Sequence, residues 1–299
     1  MIEIQGLTKR YGSKLAVDRI SFSVGKGEIV GFLGPNGAGK STTMNIITGY
    51  LSATEGRVVI DGHEILEEPT EAKKCIGYLP EQPPLYQDMM VWEYLNFIYE
   101  LKKAKTASRT KHLETVCGMV KIGHVKDRLI SNLSKGYKQR VGIAQALIGN
   151  PEVLILDEPT VGLDPNQIIE IRSLIKSLSR SHTVILSTHI LSEVQSVCDR
   201  VIIINQGVIV ADDTERNLSE KLSKDKRYTL RVKAPQTDVL TALSRLERVD
   251  SVRPHGQKEE GVYEFLLQPK ENQDIREDVF ELLRERDWPM LEFKHNAMN

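Results

Sequence analysis

Cysteine is scarce in this chain. Its 299 residues hold three, Cys75, Cys117 and Cys198, scattered without metal-ligand spacing and unable all to pair. That excludes a disulfide-stapled scaffold and fits a reducing cytosol. Long apolar runs are also missing. None approaches the roughly 20 residues a membrane helix needs, and no N-terminal segment resembles a signal peptide. If the protein works at a membrane, another chain must supply the span. Neither sign of charge prevails: Lys and Arg number 40 against 41 Asp and Glu, for a net charge of -1 and a pI near 6.7. The whole-molecule field therefore does not point to nucleic acid as a partner. The short basic run from Lys102 to Lys111 reads as a solvated helix surface. Internal repeats and low-complexity tracts are absent.

What is present is a regular alternation of elements. "IEIQGLTKRY" and "RISFSV" alternate as strands, and "EIVGFL" (28–33) is a mostly apolar run leading into Gly34. A helix is expected from about Gly39 to Tyr50, and "RVVIDG" gives another strand and turn. From about Asp88 to Leu147 the chain turns helical; "MVWEYLNFIYELKK" carries apolar residues at helical spacing, which predicts that its aromatics are core. "EVLILD" (152–157) and "TVILST" (183–188) flank a helix from about Pro165 to Ser179, the pattern of a parallel sheet buried on both faces. "RVIIINQGVIVAD" predicts a hairpin turning at Gln206 and Gly207.

Composition changes after about Leu222, where "SKDKR" reads as a linker. Beyond it the spacing predicts strand (Tyr228 to Val232), helix (Gln236 to Leu246), strand (Val249 to Pro254), strand (Val262 to Leu267), helix (Asp274 to Glu285) and strand (Met290 to Phe293). That βαββαβ order is the split βαβ arrangement of ferredoxin-like domains.

Three stretches carry chemistry. "GPNGAGKST", from Gly34, satisfies G-x-x-x-x-G-K-[ST] between a strand and a helix. Gly34, Gly37 and Gly39 let backbone N–H groups turn inward around phosphate oxygens, with Pro35, Asn36 and Ala38 between them and Thr42 just beyond. Lys40 reaches the β- and γ-phosphates as a point charge, and Ser41 offers a hydroxyl to Mg²⁺. In "VLILDEPT", Asp157 stands where a buried strand emerges and can hold the metal. Glu158 is next. Adjacent strand residues face opposite ways, but at a strand end the second carboxylate can swing toward the attacking water. The third stretch, "LSKGYKQRVGIAQAL" (133–147), enters a helix through a good N-cap, Ser134, then Lys135, Gly136 and Tyr137. Gly136 costs a helix roughly 1 kcal/mol against alanine, which suggests that something must approach this backbone closely.

Together these residues strongly resemble the ATP-binding subunits of ABC transporters, over about the first 220 residues and with several motifs in the family's order. The resemblance implies an α/β P-loop NTPase fold with an antiparallel β subdomain and a helical subdomain at about 87–147. Domains are expected at 1–222 and, as a small ferredoxin-like accessory unit, at 226–299. Residues 133–137 look like the signature motif, in a variant similar to gliding-motility and drug or antibiotic efflux ATPases; Ser134 and Gly136 would touch the γ-phosphate of ATP held by a second copy. By the same comparison Tyr11 resembles the aromatic that stacks on adenine, and His189 the switch histidine that senses the γ-phosphate. "VGLDP" resembles the D-loop, with Asp164 bridging the subunits. In "YLPEQPPLY" the family's Mg²⁺-binding glutamine is replaced by Glu81, with Gln82 the rival for the role. Pro83, Pro84, Leu85, Tyr86, Met89 and Met90 could receive a coupling helix from a membrane partner, or pack as core.

The expected function is that of the ATP-binding, ATP-hydrolysing subunit of an exporter. It would use ATP and Mg²⁺, act as a homodimer on the cytoplasmic face of the membrane with separate permease subunits, and bind no nucleic acid. A soluble ATPase of the same superfamily, a small-molecule P-loop kinase, and a regulatory or dimerising role for the C-terminal unit are the alternatives.

Overall fold

The computed structural model of the chain describes residues 1–214, 217, 227–270 and 273–296. Contacts divide it into two compact units, Met1–Glu215 and Arg216–Asn299. The linker expected at "SKDKR" and the boundary at 222–226 lie outside the described residues, except Arg227, which opens a strand.

In the first unit, β1 (Ile2–Tyr11) and β2 (Lys14–Val24) form a hairpin, followed by β3 (Ile29–Leu33) and α1 (Lys40–Ile47). Next come β4 (Glu55–Ile60), β5 (His63–Glu64), α2 (Pro69–Lys74) and β6 (Ile76–Leu79). The helical stretch is α3 (Val91–Leu101), α4 (Arg109–Met119) and α5 (Lys135–Leu147). It returns to β7 (Val153–Asp157), α6 (Pro165–Leu178), β8 (Thr183–Thr188), α7 (Leu191–Val197), β9 (Arg200–Asn205) and β10 (Val208–Thr214). The sequence reading missed β5, α2, β6 and α7: each is short, and "IGYL" alone is too brief to show a period.

Two sheets result. One is antiparallel, in the order β2-β1-β4-β5; the other has six strands, β10-β9-β3-β8-β7-β6, parallel except for the edge strand β10. Every residue of β3, β7 and β8 is buried, as continuous apolar runs in a doubly covered parallel sheet must be. Helix α1 contributes Met44, Ile46 and Ile47 to a core shared by both sheets, joining Ile2 and Ile4 with Phe32 and Ile202. The β9–β10 turn has Gln206 at φ +48 and Gly207 at +82, the pair of left-handed residues a tight hairpin demands.

Two expectations for the helical stretch need correcting. The basic run is not one solvated helix face. Helix α3 ends at Leu101, and the ammonium of Lys102 donates to the carbonyls of Gln145, Ala146 and Ile148, capping the C-terminus of α5. The aromatics of α3 also divide: Tyr94 and Tyr99 are buried, whereas Phe97 is exposed and meets the exposed ring of Tyr86 edge-on at 5.5 Å.

The second unit contains β11 (Arg227–Lys233), α8 (Gln236–Leu243), β12 (Val249–Glu259), β13 (Val262–Pro269), α9 (Arg276–Glu285) and β14 (Met290–Asn296). Its antiparallel sheet has the order β12-β13-β11-β14, with the two crossover helices packed on one face around Leu230, Phe265 and Val279. This is the ferredoxin-like arrangement. Strand β12 runs past Pro254 because it is an edge strand, where a missing N–H costs no ladder bond, and its register shifts between Pro254 and Gly256. Among the described residues no helix is long and apolar enough to cross a membrane.

Candidate active site

The loop after β3 is shaped by backbone contact. A Cβ on Gly34 would fall 2.3 Å from the carbonyl oxygen of Ile204 on neighbouring β9, and one on Gly39 would lie 2.7 Å from that of Ala16. Gly39 also caps α1 at φ +112, a conformation other residues rarely adopt. These constraints leave the backbone of the loop curled over the N-terminus of an eight-residue helix. Lys40 is 6% exposed; its ammonium donates to the carbonyls of Gly34 (2.8 Å) and Pro35 (3.3 Å) and stands 3.4 Å from Glu158 Oε1.

Asp157 ends β7 in a buried position, accepting a hydrogen bond from Ser187, with the Ser41 hydroxyl nearby. Burial pushes its carboxyl above the usual carboxylate range, against the pull of those two hydroxyls. Glu158 follows at φ +49. Strand alternation alone would send these neighbouring carboxylates to opposite faces. The left-handed turn at Glu158 instead brings its carboxylate to Lys40, while Asp157 stays beside Ser41. Such a conformation costs of order 1 kcal/mol and persists because the Glu158 N–H is held by the Ser187 carbonyl at 3.1 Å. His189, just past β8, shares its Nδ1 with both oxygens of Glu158 at 2.9 and 3.0 Å.

A cleft of about 810 Å³ opens on Lys40, Ser41, Glu158 and His189; Asp157, buried, does not line it. Asn36, Gly37, Gly39, Lys40, Ser41 and Thr42 line it, as do Glu81, Glu158, His189 and Tyr11, which is 49% exposed. Gly34 and Ala38 lie buried beneath the loop. Lys14, Leu15, Ala16 and Gln206 also line the cleft; sequence reasoning missed them because they come from the start of β2 and the β9–β10 turn, which carry no motif. Gln82 lies instead in a neighbouring cavity with Lys135 and Gln139.

Ser134 and Gly136 are not part of the cleft. The Ser134 hydroxyl caps α5 by accepting from the Tyr137 N–H at 3.4 Å, and the Tyr137 hydroxyl meets His124 Nε2 at 2.9 Å. Gly136 is buried against Gln167 of α6, whose amide group would lie 2.6 to 2.8 Å from an added Cβ. Own-chain packing is thus a second reason for that glycine. Asp164 caps α6, accepting from the Gln167 N–H at 3.0 Å. Tyr86, Met90 and Phe97 are exposed, and the rings of Tyr86 and Phe97 meet.

Comparison with known proteins agrees with this geometry. A family model described as ABC transporter matches residues 17–161. The linearmycin resistance ATP-binding protein LnrL of Bacillus subtilis is 37% identical over 259 residues, covering 85% of this chain and 82% of its own. The bacitracin transport ATP-binding protein BcrA of Bacillus licheniformis is 38% identical over 234 residues, covering 77% and 75%. Among solved structures, the dimeric post-hydrolysis state of the ATP-binding cassette MJ0796 bound to ADP and Pi superposes with a TM-score of 0.65 at 27% identity, over 72% of this chain and 98% of that one. The glycine loop, the paired carboxylates and these likenesses lead to one conclusion: the chain belongs to the ABC transporter family, as an ATP-binding subunit that hydrolyses ATP.

Proposed function

We propose that ATP binds with Mg²⁺ in the cleft and that two copies of this chain close on two nucleotides, driving export through separate permease subunits at the cytoplasmic face of the membrane. The observation that carries this reading is the contact of buried Lys40 and Glu158 with the more exposed His189, beside Asp157 and Ser41. Tyr11 stacks on adenine. Loop N–H groups and the positive end of α1 hold phosphate oxygens, and Lys40 exchanges its carbonyl partners for the β- and γ-phosphates. Glu158 takes a proton from the attacking water as its oxygen bonds to the γ-phosphorus, the bond to the bridging oxygen breaks, and ADP and inorganic phosphate leave. His189, held by Glu158 through Nδ1, keeps Nε2 for the terminal phosphate.

The donors suit Mg²⁺. The Ser41 hydroxyl and the carboxylates of Asp157 and Glu81 are hard oxygens; among the described residues no group of three or more acidic, His or Cys side chains could hold an ion alone, so phosphates and water complete the shell. Bound there, the ion neutralises charge on the β- and γ-oxygens. Glu81 rather than Gln82 takes this role because Glu81 lines the cleft.

Each site is composite. Ser134 and Gly136 lie outside their own chain's cleft on a capped helix N-terminus, and they complete the site of the second copy, with Asp164 bridging the subunits. ATP is then a ligand of the closed state, and its binding shifts the population toward the dimer. The exposed Tyr86 and Phe97 rings, which touch one another, with Met90 and the Pro83–Leu85 stretch, receive the permease. The names of the relatives, linearmycin resistance and bacitracin transport, support export of antibiotic-like compounds.

The test is Glu158→Gln. We expect ATP affinity to be retained, turnover to fall roughly 10²-fold or more, and a closed dimer to accumulate with ATP in size-exclusion chromatography. Turnover at the native rate would place the base elsewhere.

A further inference from the structure

We infer that Glu193 is a positioning residue that sets Glu158 and His189 relative to one another; the inference rests on the roles given to those two residues above. Glu193 sits in the first turn of α7 and is 1% exposed. The Thr160 hydroxyl donates to its Oε1 at 2.5 Å, and the Thr188 hydroxyl donates to its Oε2 at 2.6 Å. Thr160 lies two residues past Glu158, and Thr188 immediately precedes His189. One carboxylate therefore grips the chain leaving β7 with one oxygen and the chain leaving β8 with the other.

Further contacts stiffen the arrangement. Thr188 Oγ1 also accepts from the Ile190 N–H at 3.1 Å, so the bend carrying His189 is tied on both sides. Arg172 of α6, the helix that begins at the Asp164 cap, brings Nη2 to 3.8 Å from Glu193 Oε1, and its buried Nε has no hydrogen-bond partner among the described residues. Burying a carboxylate is expensive, and an apolar side chain of similar size could fill this space at lower cost. Packing alone gives no reason for glutamate here. Holding two threonine hydroxyls at once does, because it needs two hydrogen-bonding atoms on one planar group. Glu193 does not line the cleft, so it acts through the residues it places.

The experiment measures steady-state ATPase activity of the full chain carrying Glu193→Ala and, separately, Glu193→Gln. We expect Glu193→Ala to lower kcat about 10- to 100-fold with KM for ATP within about 2-fold, the pattern of a misplaced catalytic group. Glu193→Gln should recover most of the rate, because its amide can accept from one threonine and donate to the hydroxyl oxygen of the other. In a Glu158→Gln background Glu193→Ala should cost nothing more, since the group it positions is already disabled. Thr160→Val with Thr188→Val covers the case in which Glu193→Ala does not fold, and should show the same loss of kcat. Native kcat in Glu193→Ala or in the double threonine variant, a proportional rise in KM, or losses that multiply with Glu158→Gln would each overturn the inference. Native turnover in Glu158→Gln by itself would instead remove the reading of the base, while the kcat of Glu193→Ala still reports on Glu193.

Discussion

Glu158 owes its reach to a backbone angle. At φ +49 it leaves the strand alternation of β7: its carboxylate reaches Lys40 and lines the cleft, while Asp157 stays buried with Ser187. Asp157 shows what that arrangement costs. Its folded-state pKa is raised chiefly by burial, so its contribution to stability is fully present below the ordinary carboxylate range and is lost as pH rises through the raised value. Asp157→Asn removes this titration. In EDTA at pH 7 the variant should therefore be at least as stable as the native chain to denaturant, with the difference closing toward acid pH, while Mg²⁺-dependent turnover falls about 10²-fold or more. A variant clearly less stable at pH 7 would show that ionised Asp157 is a net stabiliser.

At the scale of elements, the N-terminus of α5 meets two demands at once. Gly136 must make room for Gln167 of α6, and in the proposed dimer its backbone must also reach the γ-phosphate of the opposite nucleotide. Gly136→Ala separates the two. Alanine gains up to roughly 1 kcal/mol of helix propensity, and the atoms nearest its Cβ are the flexible end of Gln167, so stability should change by about 1 kcal/mol or less while turnover falls. Adding Gln167→Ala should relieve the crowding, seen as a higher melting temperature, without restoring turnover. Restored turnover would assign the glycine to packing within one chain. Helices α5 and α6 are also joined by Arg140, which binds Glu170 and the Val120 carbonyl.

On the scale of the whole molecule, two compact units with separate cores imply separate melting. Calorimetry of the Glu158→Gln chain should give two transitions. With MgATP at about 100 times its Kd, the first unit gains about 2.7 kcal/mol and its transition moves up by a few degrees, while the second stays in place. One transition moving as a whole would show that the units unfold together. Sequence alone determined the phosphate loop, the Asp157–Glu158 pair, the buried parallel strands and the βαββαβ order, because each depends on local residue types at fixed spacing. It put Lys102 on a helix face, where the chain instead leaves α3 and the ammonium caps α5, and Phe97 in the core, since periodicity says which face a residue occupies but not what meets it. Only the tertiary structure brought Ala16 and Gln206 to the cleft, Gln167 onto Gly136, and Glu193 to both threonines. Those contacts join segments far apart in the chain, and their existence is fixed by how strands order in a sheet and how helices pack on it.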